Sequence, residues 1–204
     1  MFIRTESFKQ FLKHYPVTSV ILAVNILIFL MFYVALQWGA LYGFANVVFQ
    51  FMLASNYDIM HGAWWQLITA VFLHTTFEHI LFNAFSILIF APALEMMLGK
   101  WRFTLGYLGT GIVANIASLF LESQGFSHYG ASGAVFGLFG IYLYLIVFRK
   151  EWISKQDQTI VLVTLAISLI YSFIIPNIDV MGHLTGFLSG LLLAPALFTG
   201  KTFR

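Results

Sequence analysis

Six stretches of this sequence are long and apolar enough to cross the roughly 30 Å hydrocarbon core of a bilayer as helices. They cover residues 17–38, 78–98, 103–122, 132–148, 159–175 and 183–198. A chain with this pattern has few folds open to it, because backbone polar groups in lipid must be satisfied within helices or a closed barrel. Only 9% of its residues are charged, against about a quarter in a soluble domain, too few to cover a water-facing surface. The apolar content is spread along the whole chain, so residues 1–204 are expected to form one membrane domain. The net charge of +2 makes no case for nucleic-acid binding. The lack of cysteine excludes disulfides, thiolate metal sites and a cysteine nucleophile.

The first stretch follows Arg4, Lys9 and Lys13, as the core of a signal peptide would. It is too long for one and has no small-residue cleavage site, so it reads as an uncleaved span. The ten Lys and Arg residues then orient the bundle. Arg4, Lys9 and Lys13 precede span one, and Lys100 and Arg102 separate spans two and three. Arg149, Lys150 and Lys155 separate spans four and five, and Lys201 and Arg204 follow span six. The other three connections carry none, so the positive-inside rule puts both termini, including segment 1–16, in the cytoplasm. The first external connection, 39–77, has no Lys or Arg and is rich in Trp, Phe, Tyr and Met. It is too broken by Gly and polar residues to span, and reads as a long loop lying in the outer interface.

Polar side chains inside spans are costly and default to a functional reading. His74, His79 and Asn83 lie near span two, Ser132 opens span four and His183 opens span six. Even-numbered spans run from outside to inside, so these residues converge near the external face. Ser132 stands at a helix start within Gly130-Ala131-Ser132-Gly133. Taken alone it is a plain N-cap as readily as a nucleophile placed beside free helix N–H groups. Taken alone, His183 is as readily a structural residue, a proton relay or a metal ligand as a base. Sharing one depth, the two form the pair that nucleophilic catalysis requires, since a serine hydroxyl needs an adjacent base.

Gly133, Gly137 and Gly140 on span four, and Gly182, Gly186 and Gly190 on span six, have the small-x-x-x-small spacing of closely packed membrane helices. Gly130 adds conformational freedom just before Ser132. His79 and Asn83, four apart, share a helix face. They suit either helix–helix hydrogen bonding or an oxyanion hole completed by the Ser132 N–H. His74 reads as structural and directed elsewhere, and His14, His61 and His128 as ordinary loop residues. No His-Glu-x-x-His arrangement is present, so neither a metal nor any other cofactor is expected.

Four motifs together resemble the rhomboid family of intramembrane serine proteases. They are His74-x4-His79-x3-Asn83, Glu95-x3-Gly99, Gly130-Ala131-Ser132-Gly133-Ala134-Val135-Phe136-Gly137, and Asp179-x3-His183-x2-Gly186. The resemblance covers the whole chain and implies an all-α bundle of six transmembrane helices with an interfacial first external loop. It implies a Ser132–His183 dyad without a catalytic acid, with oxyanion support from His79, Asn83 and the Ser132 N–H. Substrates would be transmembrane proteins in the lipid bilayer. The family's Trp-Arg pair is here Trp65-Gln66, which leaves the usual bonding of that loop in question. Asp179 fits the pattern and reads as structural. The absence of a further domain or seventh helix matches the minimal prokaryotic form, in a plasma membrane. A proteolytically dead relative would lack the Ser or the His, and a transporter would place its polar residues near mid-membrane. The oligomeric state is not legible in the sequence.

Overall fold

A computed structural model describes residues 1–176 and 178–200; Lys201 and Arg204, two of the orienting residues, lie outside the described residues. The helices α1 (Phe8–His14) and α2 (Pro16–Gln37) lead into α3 (Tyr42–Met52), strand β1 (Ala54–Ser55), α4 (Asn56–Met60) and α5 (Gln66–Thr69). There follow α6 (Phe77–Leu98), α7 (Lys100–Leu121), strand β2 (Ser127–His128), α8 (Ser132–Phe148), α9 (Lys155–Ile174) and α10 (Val180–Leu197). Five of these, α2, α6, α7, α9 and α10, are long and apolar enough to cross a membrane. The sixth apolar helix, α8, has 17 residues and is about 26 Å long at 1.5 Å per residue. It can be this short because it is the core: every residue from Ala134 to Tyr142 is buried. A helix apolar all round belongs inside a bundle. The chain is an all-α, multi-pass membrane protein.

The helix starts differ from the sequence boundaries where a cap decides them. Ser154 accepts the Asp157 N–H at 3.1 Å, so α9 begins before residue 159. Asp179 accepts the Gly182 N–H at 2.7 Å and starts α10 at Val180. His183 therefore sits one turn inside α10, not at its first residue.

The end of the bundle opposite Ser132 is held by buried polar contacts. Glu95, near the end of α6, accepts the Val17 N–H at 2.9 Å, the Thr18 N–H at 2.8 Å and the Thr18 hydroxyl at 2.7 Å. Its carboxylate thus serves the free N–H groups at the start of α2, where negative charge is favoured. Arg102 donates to the Leu197 and Thr199 carbonyls at 2.9 and 2.8 Å, closing the end of α10. Pro92 lies inside α6 and has no N–H to offer the Leu88 carbonyl. Arg4 supplies that donor, reaching the Leu88 and Ile89 carbonyls at 2.6 and 3.2 Å. Phe2 seats its ring edge-on between Phe90 and Tyr142.

The segment 39–77 folds as short helices and leaves Trp64 and Trp65 exposed, as is Trp38 just before it. Strand β1 pairs antiparallel with β2, Ala54 opposite His128, tying this segment to the residues just before Ser132. Gln66, buried, accepts the Ser55 N–H at 3.1 Å and donates to the Gln50 carbonyl at 3.1 Å. A neutral amide here satisfies two backbone groups directly.

Replacing Glu95 with Ala strips three hydrogen bonds from a buried helix start, and bonds to charged groups are worth about 1.5–3 kcal/mol each. We expect Glu95→Ala to lower stability in detergent by at least about 3 kcal/mol, with Glu95→Gln intermediate. Thermal unfolding of both variants checks this, and an unchanged midpoint for Glu95→Ala would contradict it.

Candidate active site

Helices α8 and α10 meet through glycine. A side chain at Gly186 would run into the Gly133 carbonyl, and one at Gly190 into the Gly137 carbonyl. Gly140 likewise lies on the backbone of Phe187 and Leu191. At the Ser132 end of this seam a Cβ on Gly133 would stand 3.9 Å from the Gly182 carbonyl oxygen. Gly133 follows Ser132 and Gly182 precedes His183, so the two helices bring these residues to one corner. Phe136 follows Ser132 by one turn of α8, and its ring lies flat against His183, with centroids 4.4 Å apart and planes 16° from parallel.

Ser132 is the first residue of α8, and the capping position is Ala131, with helical dihedrals and no side-chain cap. The hydroxyl is therefore not used as an N-cap, and the backbone N–H groups of the first turn have no partner within the helix. Gly130 has φ of +122°, a conformation that a side chain strains, and a Cβ there would collide with the His79 ring. His79 accordingly packs directly on the turn that leads into Ser132. Asn83, one turn along α6 and nearly buried, donates to the His79 carbonyl at 2.9 Å and has a second N–H to offer. Among the described residues, no hydrogen bond joins Ser132 to His183. Such bonds are often loose until substrate is bound.

Two residues sit differently from their reading in the sequence. His74 does not point elsewhere: its ring is 4.8 Å from that of His79, and its Nε2 accepts the Ala131 N–H at 3.3 Å. It is fully buried, which pushes its pKa down to about 3 and keeps it a neutral acceptor. His128 is no ordinary loop residue. Its Nε2 bonds Asn115 Oδ1 at 3.1 Å, Asn115 donates to the Leu67 carbonyl at 2.8 Å, and Nδ1 faces Asp179 at 4.0 Å. Burial lowers its pKa, with Asp179 pulling the other way. Asp179 also accepts the Ser118 hydroxyl. This network joins segment 39–77, α7 and the cap of α10 behind the site.

Ser172 on α9 is a site residue that the sequence reading missed. Its Oγ lies 2.8 Å from His183 Nδ1. The available signal was the spacing of Thr164, Ser168 and Ser172, four apart along the apolar part of α9.

A serine and a histidine thus stand at one end of a buried helix seam, beside helix N–H groups that have no partner within the helix. Residues 61–200 match the family model of the rhomboid domain. A putative rhomboid protease of Bacillus subtilis, YdcA, is 43% identical over 95% of this chain and 94% of its own length. Rhomboid protease GluP of the same organism is 36% identical over 70% of this chain, and rhomboid-type serine protease 2 of Emericella nidulans 32% identical over 64%. The chain spans only 28% and 26% of those two proteins. The chain belongs to the rhomboid family. It is a serine-type endopeptidase of the membrane.

Two outcomes follow from this geometry. Gly186→Val and Gly190→Val each force backbones apart, and overpacking costs typically about 1–3 kcal/mol. Gly186→Val, beside the serine–histidine corner, should in addition lose about 10²-fold in turnover, as a ~1 Å displacement of reacting groups can, whereas Gly190→Val should lose less. Thermal stability and turnover of both variants test this; full activity in Gly186→Val would refute the seam's role. For His74, the folded pKa lies below the ordinary 6.5, so the unfolded chain takes up the proton first. Its contribution to stability is therefore lost as pH falls from about 6.5 toward 3, by at most about 1.4 kcal/mol per unit. Unfolding midpoints between pH 7 and 4.5 should fall less steeply in His74→Gln than in the native protein.

Proposed function

We propose that this protein cuts transmembrane segments of single-span membrane proteins near their external ends, with Ser132 as nucleophile and His183 as general base. The observation that carries this reading is the stacking of His183 on Phe136, one turn along α8 from Ser132. His183 Nε2 takes the proton as Ser132 Oγ bonds to the scissile carbonyl carbon, and the carbonyl π electrons move onto oxygen. The oxyanion is met by the Ser132 N–H, His79 and the free N–H of Asn83. Collapse breaks the peptide C–N bond, and the histidine returns its proton to the leaving amine. Water, deprotonated by His183, then hydrolyses the acyl-enzyme and regenerates Ser132.

The positions of Arg4, Lys9, Lys13, Lys100, Arg102, Arg149, Lys150 and Lys155 support a cytoplasmic inner face and an external site, in the plasma membrane of a prokaryotic cell. A substrate helix hides its carbonyls in hydrogen bonds. It must unwind before attack, so Gly or Pro near the cut should favour cleavage.

The test is purified protein incubated with a panel of single-span substrates, with cut sites mapped by mass spectrometry. Ser132→Ala and His183→Ala should each abolish cleavage without unfolding the protein, since loss of either residue in a soluble serine protease costs on the order of 10⁶ in turnover. Retention of more than a few per cent of activity by Ser132→Ala would end the nucleophile assignment. Cuts at cytoplasmic ends would reverse the proposed sidedness.

A further inference from the structure

We propose that Ser172 is a positioning residue for His183, holding the base in the tautomer that leaves Nε2 free to take a proton. The proposal rests on the Ser132–His183 reading above and adds to it a third helix. Ser172 Oγ lies 2.8 Å from His183 Nδ1, and the two residues are 2% and 8% exposed. Protein surrounds the Nδ1–Oγ contact, so losing one partner leaves the other buried.

The direction of this bond follows from proton counting. A serine hydroxyl has one hydrogen, and in the proposed arrangement it goes to the Ser168 carbonyl, which lies 2.7 Å from Ser172 Oγ and can only accept. Its oxygen can then meet Nδ1 only as an acceptor, so Nδ1 must carry the N–H. A neutral imidazole has one N–H, which leaves Nε2 with a lone pair. That is the form a general base needs. Face contact with Phe136 sets the plane of the ring, and Ser172 sets its rotation within that plane. Together they hold both degrees of freedom of the side chain.

The same bond acts again once the proton is taken. Imidazolium has two N–H groups, and the one at Nδ1 already has an acceptor. Ser172 therefore favours the charged form that arises during attack, as a neutral counterpart of the carboxylate in a triad. The titratable groups facing His183 are Asp179, at the cap of its own helix, and His79 from α6. Neither is hydrogen-bonded to its ring among the described residues.

Three measurements on the full-length protein in detergent or liposomes test the role. Ser172→Ala should lower kcat on the order of 10–100-fold, the size seen when a partner that orients a metal-bound histidine is lost, with KM little changed. The acid limb of its kcat–pH profile should move to lower pH, because the protonated ring has lost its acceptor. Ser172→Thr, which keeps the hydroxyl and its bond to residue 168, should recover most of the rate. A packing role alone would change stability and leave the acid limb in place.

Should Ser172→Ala unfold, ¹⁵N NMR of His183 in the native protein reads the tautomer directly, and a proton on Nε2 at neutral pH would overturn the proposal. Full activity with an unshifted limb in folded Ser172→Ala would also overturn it. Activity in Ser132→Ala, by contrast, would fail the dyad itself, so the two failures are told apart.

Discussion

The contact on which the site depends is between two backbones. In lipid there is no hydrophobic gain from pressing helices together, so close van der Waals approach must supply it. Gly133 against Gly186, and Gly137 against Gly190, allow α8 and α10 an approach that any side chain would block. This fixes the depth of one helix relative to the other. Once that is set, Phe136 can lie flat on His183, and the first turn of α8 faces the second turn of α10. A single methyl group in the seam would move every one of these relations at once.

Around the seam, the buried polar side chains are tied mostly to backbone. Gln66 holds Ser55 and Gln50, Asn115 holds Leu67, Asn56 holds Ser118 and Ser123, and Glu95 holds the start of α2. A buried polar group left unpaired is destabilising, so each such bond favours one arrangement of irregular chain over its alternatives. That is how the loop-rich outer part, with a β pairing of only two residues per strand, can be held in register next to a precisely placed serine.

What could be read in advance follows a physical divide. Spans are written in local hydropathy, so they are legible without knowing any contact. Ser132 and His183 could be nominated because topology alone brings the outer ends of even-numbered spans to one depth. His74, His128 and Ser172 could not be placed that way. The partner of His74 is 57 residues distant, and which way a ring faces is decided by packing. Gln66 shows the same limit from the other side: the exchange of an arginine for an amide was visible, but its two backbone partners depend on how segment 39–77 folds. The start of α10 was misplaced by a turn because Asp179 acts as a cap through its side chain, a choice that spacing does not reveal.

The gap left by Pro92 in α6 bears on the order in which the protein is made. The carbonyl freed at Leu88 is taken by Arg4, 84 residues earlier in the chain, and Phe2 packs on Tyr142, later still. A growing chain emerges from its N-terminus, at roughly 5–20 residues per second. Phe2 and Arg4 must therefore wait several seconds for the helices they brace. During that interval Arg4 has no carbonyl to meet and the ring of Phe2 has no slot. Residues 2–4, made before the helices they touch, thus settle after them, and their docking marks a bundle in which α6 and α8 are already in place.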